Sequence, residues 1–249
     1  MINAAALALE LDRARLEKRE LAPLTDTTKF GLSEAYEIQS RGIDLRLARG
    51  ERIVGFKMGL TSEAKRKQMN LDAPCYGVLT DRMRVEGSLA VAEGIHPKTE
   101  PEIAFITSRP LHGRITREEA ARSISAVMPA LEILDSRYRG FKYFSLPDVV
   151  ADNSSSAWFV LGTALKPREL GKLKMKLLVD GKVEQEADSN AISGHPLESL
   201  VQLCAMHPQP IPAGSVILAG AATLAVPVEP GREYALEVEA LGRVSFVGR

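Results

Sequence analysis

Two glutamates in one short apolar segment constrain the fold of this chain more than any other sequence feature. The segment from His96 to Phe105 reads HPKTEPEIAF, with Glu100 and Glu102 separated by one residue. Side chains alternate between the two faces of a β-strand, so both carboxylates would leave the same face. Two like charges on an apolar strand are costly unless a cation, a lysine or an arginine lies between them. The pattern therefore predicts a strand that lines a charged site.

A second interrupted apolar segment supplies a third acid. Residues 129–135 read PALEILD. With the period of a strand, Glu132 shares a face with Ala130 and Leu134, whereas Asp135 points the other way. Glu132 is therefore the better ligand candidate, and Asp135 is the better candidate for a structural acid. Three carboxylates suit a hard divalent metal, which prefers oxygen ligands.

The composition narrows the possible classes of function. Hydrophobic residues make up 45% of the chain and charged residues 26%, as in ordinary globular proteins. The chain has 32 lysines and arginines and 32 aspartates and glutamates. This balance gives no electrostatic reason to expect binding to nucleic acid or to an anionic membrane. No segment approaches the ~20 apolar residues of a membrane span, and the N-terminus does not resemble a signal peptide. Two cysteines offer no disulfide framework, which suits the cytoplasm.

Helix and strand patterns predict an α+β fold. Amphipathic spacing predicts helices over residues 2–20 and 33–47, and shorter helices over 63–69, from Thr116 to about 126, and from Pro196 to about 206. Alternating or apolar segments predict strands over residues 51–58, 84–91, 233–239 and 243–247, and a hairpin that turns at Asp180-Gly181. Residues 216–223 read as an apolar strand that leads into a small-residue loop. Few of these strands form βαβ units, so we expect a mixed or mainly antiparallel body with peripheral helices. We divide the chain into an N-terminal helical segment with one strand (1–75), packing on the body, and a catalytic β-rich body (76–249).

Several other residues have both a structural and a functional interpretation. Lys57, between apolar neighbours, is either a surface lysine or a partly desolvated amine near a substrate carboxylate. The polar cluster at residues 152–156 is either a turn or a row of donors beside the metal. The small-residue loop that ends at Thr223 would let the backbone approach a ligand closely. Cys75 fits a buried small residue better than a nucleophile.

Common catalytic motifs are missing from the sequence. It contains no Gly-x-Ser-x-Gly elbow, no Gly-x-Gly-x-x-Gly and no phosphate-binding loop. The four histidines lack the spacing of zinc ligands. The sequence therefore does not support a serine hydrolase, a dinucleotide-binding protein or a nucleotide hydrolase with a phosphate-binding loop.

Five segments together resemble the fumarylacetoacetate hydrolase superfamily, in the branch of 2-oxopent-4-enoate hydratases and 4-oxalocrotonate (2-oxohex-3-enedioate) decarboxylases. They occur in family order and read GFKMGLTS (55–62), EPEIAF (100–105), PALEILDS (129–136), VADNSSS (150–156) and GHPL (194–197). The resemblance implies a fumarylacetoacetase-like mixed β-roll or barrel body, with peripheral helices and an N-terminal helical segment. Each motif is weak alone, but five in order are specific.

The same resemblance implies roles for individual residues. Glu100, Glu102 and Glu132 match the ligands of Mg²⁺ or Mn²⁺, and no organic cofactor is needed. Lys57 matches the active-site lysine. Ser155 and Ser156 match serines near the substrate, and we also expect substrate contacts from Leu60 and Thr223.

The implied activity is metal-dependent decarboxylation of 2-oxohex-3-enedioate to 2-hydroxypenta-2,4-dienoate and CO₂, in the meta-cleavage catabolism of aromatic compounds. One alternative is a hydratase, which would add water to the dienol. The hydratase pattern carries an acid where this chain has Cys75, so the sequence favours the decarboxylase. A second alternative is a non-catalytic partner subunit.

The resemblance also implies a small 2-oxo dicarboxylic acid substrate, a homo-oligomer and a possible complex with the pathway hydratase. C–C hydrolases of the wider superfamily rely on a His-Glu dyad that we do not find here.

Overall fold

The computed structural model describes residues 2–61, 73–142 and 145–249. In this part of the chain the helices are α1 (Ala4–Glu17), α2 (Leu32–Ala48), α3 (Arg117–Ala121), α4 (Leu146–Ala151) and α5 (Pro196–Met206). The strands are β1 (Ile53–Gly59), β2 (Cys75–Thr80), β3 (Ser88–Leu89), β4 (Lys98–Thr107), β5 (Ile124–Leu134), β6 (Ser156–Leu161), β7 (Lys174–Val179), β8 (Lys182–Asp188), β9 (Val216–Leu218), β10 (Val226–Pro227), β11 (Glu233–Val238) and β12 (Gly242–Gly248). The helix predicted over 63–69 lies outside the described residues.

The larger sheet contains the strand with the two glutamates. Its order is β2-β1-β9-β4-β5-β6, and β10 pairs with the start of β4. β1 and β9 run parallel, and the other described pairs in this sheet are antiparallel. The chain after β2 reaches the far edge of the sheet, where Val85 N–H donates to Phe159 O at 2.9 Å. The sheet therefore curls until its two edges meet, which confirms the predicted mixed β-roll.

The smaller sheet covers the outer face of the larger one. Its order is β3-β12-β11-β7-β8, and β11 and β12 pack against β5. Leu131 and Ile133 of β5 enter the same core as Tyr234 and Phe246, whose rings stack with centroids 5.3 Å apart. Because side chains alternate along β5, this packing turns the intervening Glu132 to the inner face.

The N-terminal helices form a separate layer on the body. α1, α2 and α4 share an apolar cluster that includes Leu11, Ile38 and Val150. Gln39 Nε2 donates to the carbonyls of Tyr76 and Val150, at 3.0 and 3.1 Å. The two predicted helices are confirmed, while β1 belongs to the larger sheet itself. The division at residue 75 stays a prediction.

Two predicted elements are shorter than expected. The helix after Thr116 ends at Ala121 rather than near residue 126, because Ile124 begins β5 and pairs with Thr107 of β4. The strand predicted over 84–91 is reduced to Ser88–Leu89, because Gly87 adopts a φ of 73° and interrupts it. The hairpin at Asp180-Gly181 and the helix from Pro196 are confirmed. Within the described residues, no helix is both long and apolar enough to cross a membrane.

Candidate metal centre and active site

Three glutamates meet on the inner face of the larger sheet. Glu100 and Glu102 lie on β4, and Glu132 on β5 stands directly opposite Glu100 in the antiparallel register. One carboxylate oxygen from each residue lies within 4.8 Å of those of the other two. Pairing of β4 with β5 therefore assembles from two strands the three acids that the sequence singled out.

These carboxylates are almost completely removed from solvent. Glu102 and Glu132 are 0% exposed and Glu100 is 8% exposed. Burial raises the pKa of Glu102 well above its ordinary value, and the neighbouring Glu132 and Glu100 raise it further. Such a concentration of negative charge is unfavourable unless cations offset it.

The hydrogen bonds of the triad leave room for a cation. Glu102 Oε2 accepts from Gly220 N–H at 2.7 Å, and Glu132 Oε1 accepts from Ser156 Oγ at 2.9 Å. Glu102 Oε1 is buried and has no hydrogen-bond partner among the described residues. An unpaired buried oxygen in an all-oxygen donor set fits Mg²⁺ or Mn²⁺, which bind carboxylates.

Lys57 is the one cation that contacts this triad within the described part of the chain. β1 carries it to the inner face, where Nζ lies 3.0 Å from Glu132 Oε2 and donates to Ser154 O at 3.3 Å. The residue is 2% exposed, so the surface-lysine interpretation is wrong. Burial alone lowers the pKa of Lys57, but the carboxylates of Glu132, Glu100 and Glu102 outweigh it and raise the pKa above its ordinary value. Lys57 is therefore an ammonium in this arrangement.

The turn before β6 holds its serines by an unusual backbone. Asn153, Ser154 and Ser155 have φ values of 50°, 53° and 56°, in the left-handed region that non-glycine residues rarely adopt. Asn153 stabilises the turn, since its amide accepts from Val78 N–H at 2.8 Å and donates to Val78 O at 3.0 Å. The turn and donor interpretations of this cluster are therefore compatible.

Each serine of this turn has a different use. Ser154 Oγ donates to Tyr76 O at 2.9 Å and so serves the fold. Ser156 Oγ donates to Glu132 in the triad. Ser155 Oγ is buried and has no partner among the described residues. Ser155 is therefore the serine whose hydroxyl remains available to a ligand.

The small-residue loop after β9 closes one side of the triad. Gly220 has a φ of 101°, and a Cβ there would lie 2.7 Å from Thr61 Oγ1, so this position requires glycine. Thr223 Oγ1 donates to Leu224 O at 3.3 Å, a contact within its own loop. Leu60, with a φ of 56°, packs against the N-terminal apolar cluster. Gly220 therefore contacts the triad directly, and the substrate contacts expected from Thr223 and Leu60 stay predictions.

Three other residues in this region have contacts that the structure defines. Arg137 is buried and forms an ion pair with the buried Asp152, so its charge is neutralised. Asp135 accepts from the backbone N–H groups of Ile95 and His96, which agrees with its expected structural role. Cys75 is buried, with Sγ 3.4 Å from Ser154 Oγ, and burial raises the pKa of its thiol. A neutral thiol thus stands near Lys57.

Comparison with known proteins agrees with this geometry. The family model described as fumarylacetoacetate (FAA) hydrolase C-terminal matches residues 61–246. The chain belongs to the fumarylacetoacetate hydrolase family. The recognition from five short motifs is thereby confirmed.

Individual members of the family match almost the whole chain. A 4-oxalocrotonate decarboxylase of Pseudomonas sp. is 44% identical over 246 residues, which cover 96% of each chain. A 2-hydroxyhexa-2,4-dienoate hydratase of Comamonas testosteroni is 36% identical, over 92% of this chain and 90% of its own. The solved structure of 4-oxalocrotonate decarboxylase from Pseudomonas putida G7, complexed with magnesium and adipate, superposes with a TM-score of 0.94 at 36% identity, over 99% of this chain and 97% of its own. Both activities weighed from the sequence are therefore represented among the relatives.

Proposed function

We propose that this protein catalyses the metal-dependent decarboxylation of 2-oxohex-3-enedioate (4-oxalocrotonate) to 2-hydroxypenta-2,4-dienoate and CO₂. The observation that carries the proposal is the buried triad of Glu100, Glu102 and Glu132. Lys57 contacts this triad, and Glu102 Oε1 has no hydrogen-bond partner among the described residues. These three glutamates would hold Mg²⁺ or Mn²⁺. The decarboxylase relative at 44% identity and the magnesium and adipate in the Pseudomonas putida G7 structure support this choice.

The reaction needs an electron acceptor and one proton. The C5–C6 bond breaks, C6 leaves as CO₂, and the electron pair moves through C4 and C3 onto the 2-oxo oxygen. A divalent metal held by the three glutamates would supply Lewis-acid stabilisation of the charge that develops there. Protonation of that oxygen completes the dienol, so no organic cofactor is required.

The residues of this chain would bind the substrate, orient it and protonate its 2-oxo oxygen. Lys57 is held by Glu132 and by the Ser154 carbonyl, and its ammonium can donate a hydrogen bond or a proton at the 2-oxo oxygen. The unpaired hydroxyl of Ser155 can donate to a substrate carboxylate, and Ser156 orients Glu132. Burial of the triad excludes bulk water and strengthens these interactions. Leu60 and Thr223 would complete the substrate contacts that we expect.

The hydratase is the second candidate, because hydratases occur among relatives that match more than nine-tenths of the chain. A hydratase must activate the water that it adds. Cys75 stands where the hydratase pattern carries an acid, and its buried thiol is neutral. This position supports the decarboxylase.

One assay distinguishes these functions. Purified protein is mixed with Mg²⁺ and 2-oxohex-3-enedioate, and CO₂ release is followed together with the dienol absorbance. CO₂ release that EDTA abolishes is the expected result. Consumption of 2-hydroxypenta-2,4-dienoate without CO₂ would identify a hydratase, and activity that requires an added hydratase would identify a partner subunit.

The biological setting follows from the same proposal. Adipate, a six-carbon dicarboxylate, occupies the Pseudomonas putida G7 structure, and we propose a small 2-oxo dicarboxylic acid as the substrate here. A homo-oligomer, a complex with the pathway hydratase and a cytoplasmic location remain predictions from the sequence.

A further inference from the structure

Lys98 lies in line with the glutamates of the triad. It is the first residue of β4, and alternation places its side chain on the same face as those of Glu100 and Glu102. Exposure rises along this row, from 0% at Glu102 to 8% at Glu100 and to half-buried at Lys98. The row therefore runs from the floor of the site towards solvent, with a cation at its outer end.

The ammonium of Lys98 is positioned but not neutralised. Nζ lies 4.4 Å from the centroid of the Phe141 ring, a cation–π contact. No carboxylate among the described residues forms an ion pair with it. The Phe141 loop is anchored in turn, because Gly140 N–H donates to Glu20 Oε1 at 2.8 Å. A cation that lies over an aromatic ring, with no counter-ion in the described part of the chain, can bind an anion.

The other nearby cations are less suited to that task. Arg137 already binds the side chain and the carbonyl of Asp152. Lys57 contacts Glu132 deep in the triad. Arg139 and Lys142 are exposed, and neither lies on the strand that carries the glutamates. Lys98 lies on the inner face, and its ammonium forms no ion pair with a described residue.

The spacing along β4 matches a short dicarboxylate. Two residues of a strand span ~6.6 Å, about the reach of a six-carbon chain from one carboxylate to the other. A ligand whose first carboxylate lies at the triad would direct its second carboxylate towards Lys98. A five-carbon dienoate carries no charged group at that end.

We propose that Lys98, positioned by Phe141, binds the distal carboxylate of the substrate and selects dicarboxylates over monocarboxylates. This inference rests on the proposed function, since it assumes that the triad holds the other end of the ligand. The distal carboxylate loses its charge as it leaves as CO₂. Lys98 therefore stabilises the bound substrate and not the transition state, so its removal should raise KM without lowering kcat.

The test compares two ligands by calorimetry in the presence of Mg²⁺. Adipate and hexanoate have the same chain length and differ by one carboxylate. Wild-type protein should bind adipate at least about tenfold more tightly, as expected for a charge-assisted hydrogen bond. Lys98→Met should bring the ratio of the two affinities close to one and leave hexanoate binding unchanged. Lys98→Arg should retain the preference.

Matched variants separate Lys98 from its neighbours. Lys142→Met removes an adjacent exposed cation, and Lys174→Met removes one on β7 in the smaller sheet. Neither should change the ratio of affinities. A wild-type protein without preference for adipate, a preference that survives Lys98→Met, or a loss of preference in Lys142→Met would each overturn the inference. The proposed function fails separately, if wild-type protein releases no CO₂ from 2-oxohex-3-enedioate.

Discussion

Nζ of Lys57 lies 3.0 Å from Oε2 of Glu132, and both side chains are buried. The two residues come from β1 and β5, which are separated in the sheet by β9 and β4. This ion pair engages Glu132, whereas Oε1 of the neighbouring Glu102 is buried and has no hydrogen-bond partner among the described residues. This buried oxygen is the physical reason to expect a divalent metal at the triad.

Glu102→Gln should stabilise the metal-free protein and abolish its response to metal. Glutamine removes one of three crowded charges and can still accept from Gly220 N–H, so we expect a gain of about 1 kcal/mol or more. Thermal unfolding with and without Mg²⁺ measures both effects, and turnover should be lost. Glu184→Gln, at an exposed position on β8, is the control and should behave like wild type. A Mg²⁺-dependent rise in Tm that persists in Glu102→Gln would contradict the assignment of the triad.

Lys57→Met should lower kcat by about 100-fold or more, because proton transfer and a preorganised charge contribute on this scale. Metal affinity, measured by calorimetry with Mn²⁺, should change far less than kcat. Lys174→Met controls for the loss of a lysine far from the triad. A kcat within a factor of about two of wild type would remove Lys57 from the mechanism.

Ser155→Ala should separate substrate binding from stability. The hydroxyl is buried without a partner among the described residues, so its removal should leave the free energy of unfolding unchanged or raise it by up to about 1 kcal/mol. KM should rise, since a donor to the substrate is lost. Ser156→Ala is the comparison variant. It breaks a hydrogen bond to Glu132 and should therefore weaken metal binding. Marked destabilisation by Ser155→Ala in urea would show that its hydroxyl serves the fold.

Gly220→Ala should disturb the triad through the backbone. A Cβ at this position would lie 2.7 Å from Thr61 Oγ1, and the φ of 101° disfavours any side chain. We expect destabilisation by about 1–3 kcal/mol and weaker metal binding, because the Gly220 N–H that holds Glu102 would shift. Gly214→Ala is the control, since its φ is 80° but no atom lies within 4 Å of the added Cβ. Equal effects of both substitutions on metal affinity would exclude the steric explanation.

Local patterns in the sequence were sufficient for much of the fold. Alternation along residues 98–107 placed Glu100 and Glu102 on one face, and the turn residues Asp180-Gly181 identified a hairpin. Local patterns failed where an element's end depends on a distant partner. The helix after Thr116 stops early because Ile124 pairs with Thr107 of β4, a partner that precedes the helix in the chain.

The sequence by itself determined which acids could share a face, because side-chain direction follows from the backbone of a single strand. Tertiary structure decided what surrounds them. The register of β4 with β5 sets Glu132 opposite Glu100, and β1 brings Lys57 to the same pocket. The Gly220 N–H, the unpaired Ser155 hydroxyl and the uncommitted charge of Lys98 likewise arise from contacts between segments far apart in the chain. Such contacts depend on how whole sheets pack, which local periodicity does not specify.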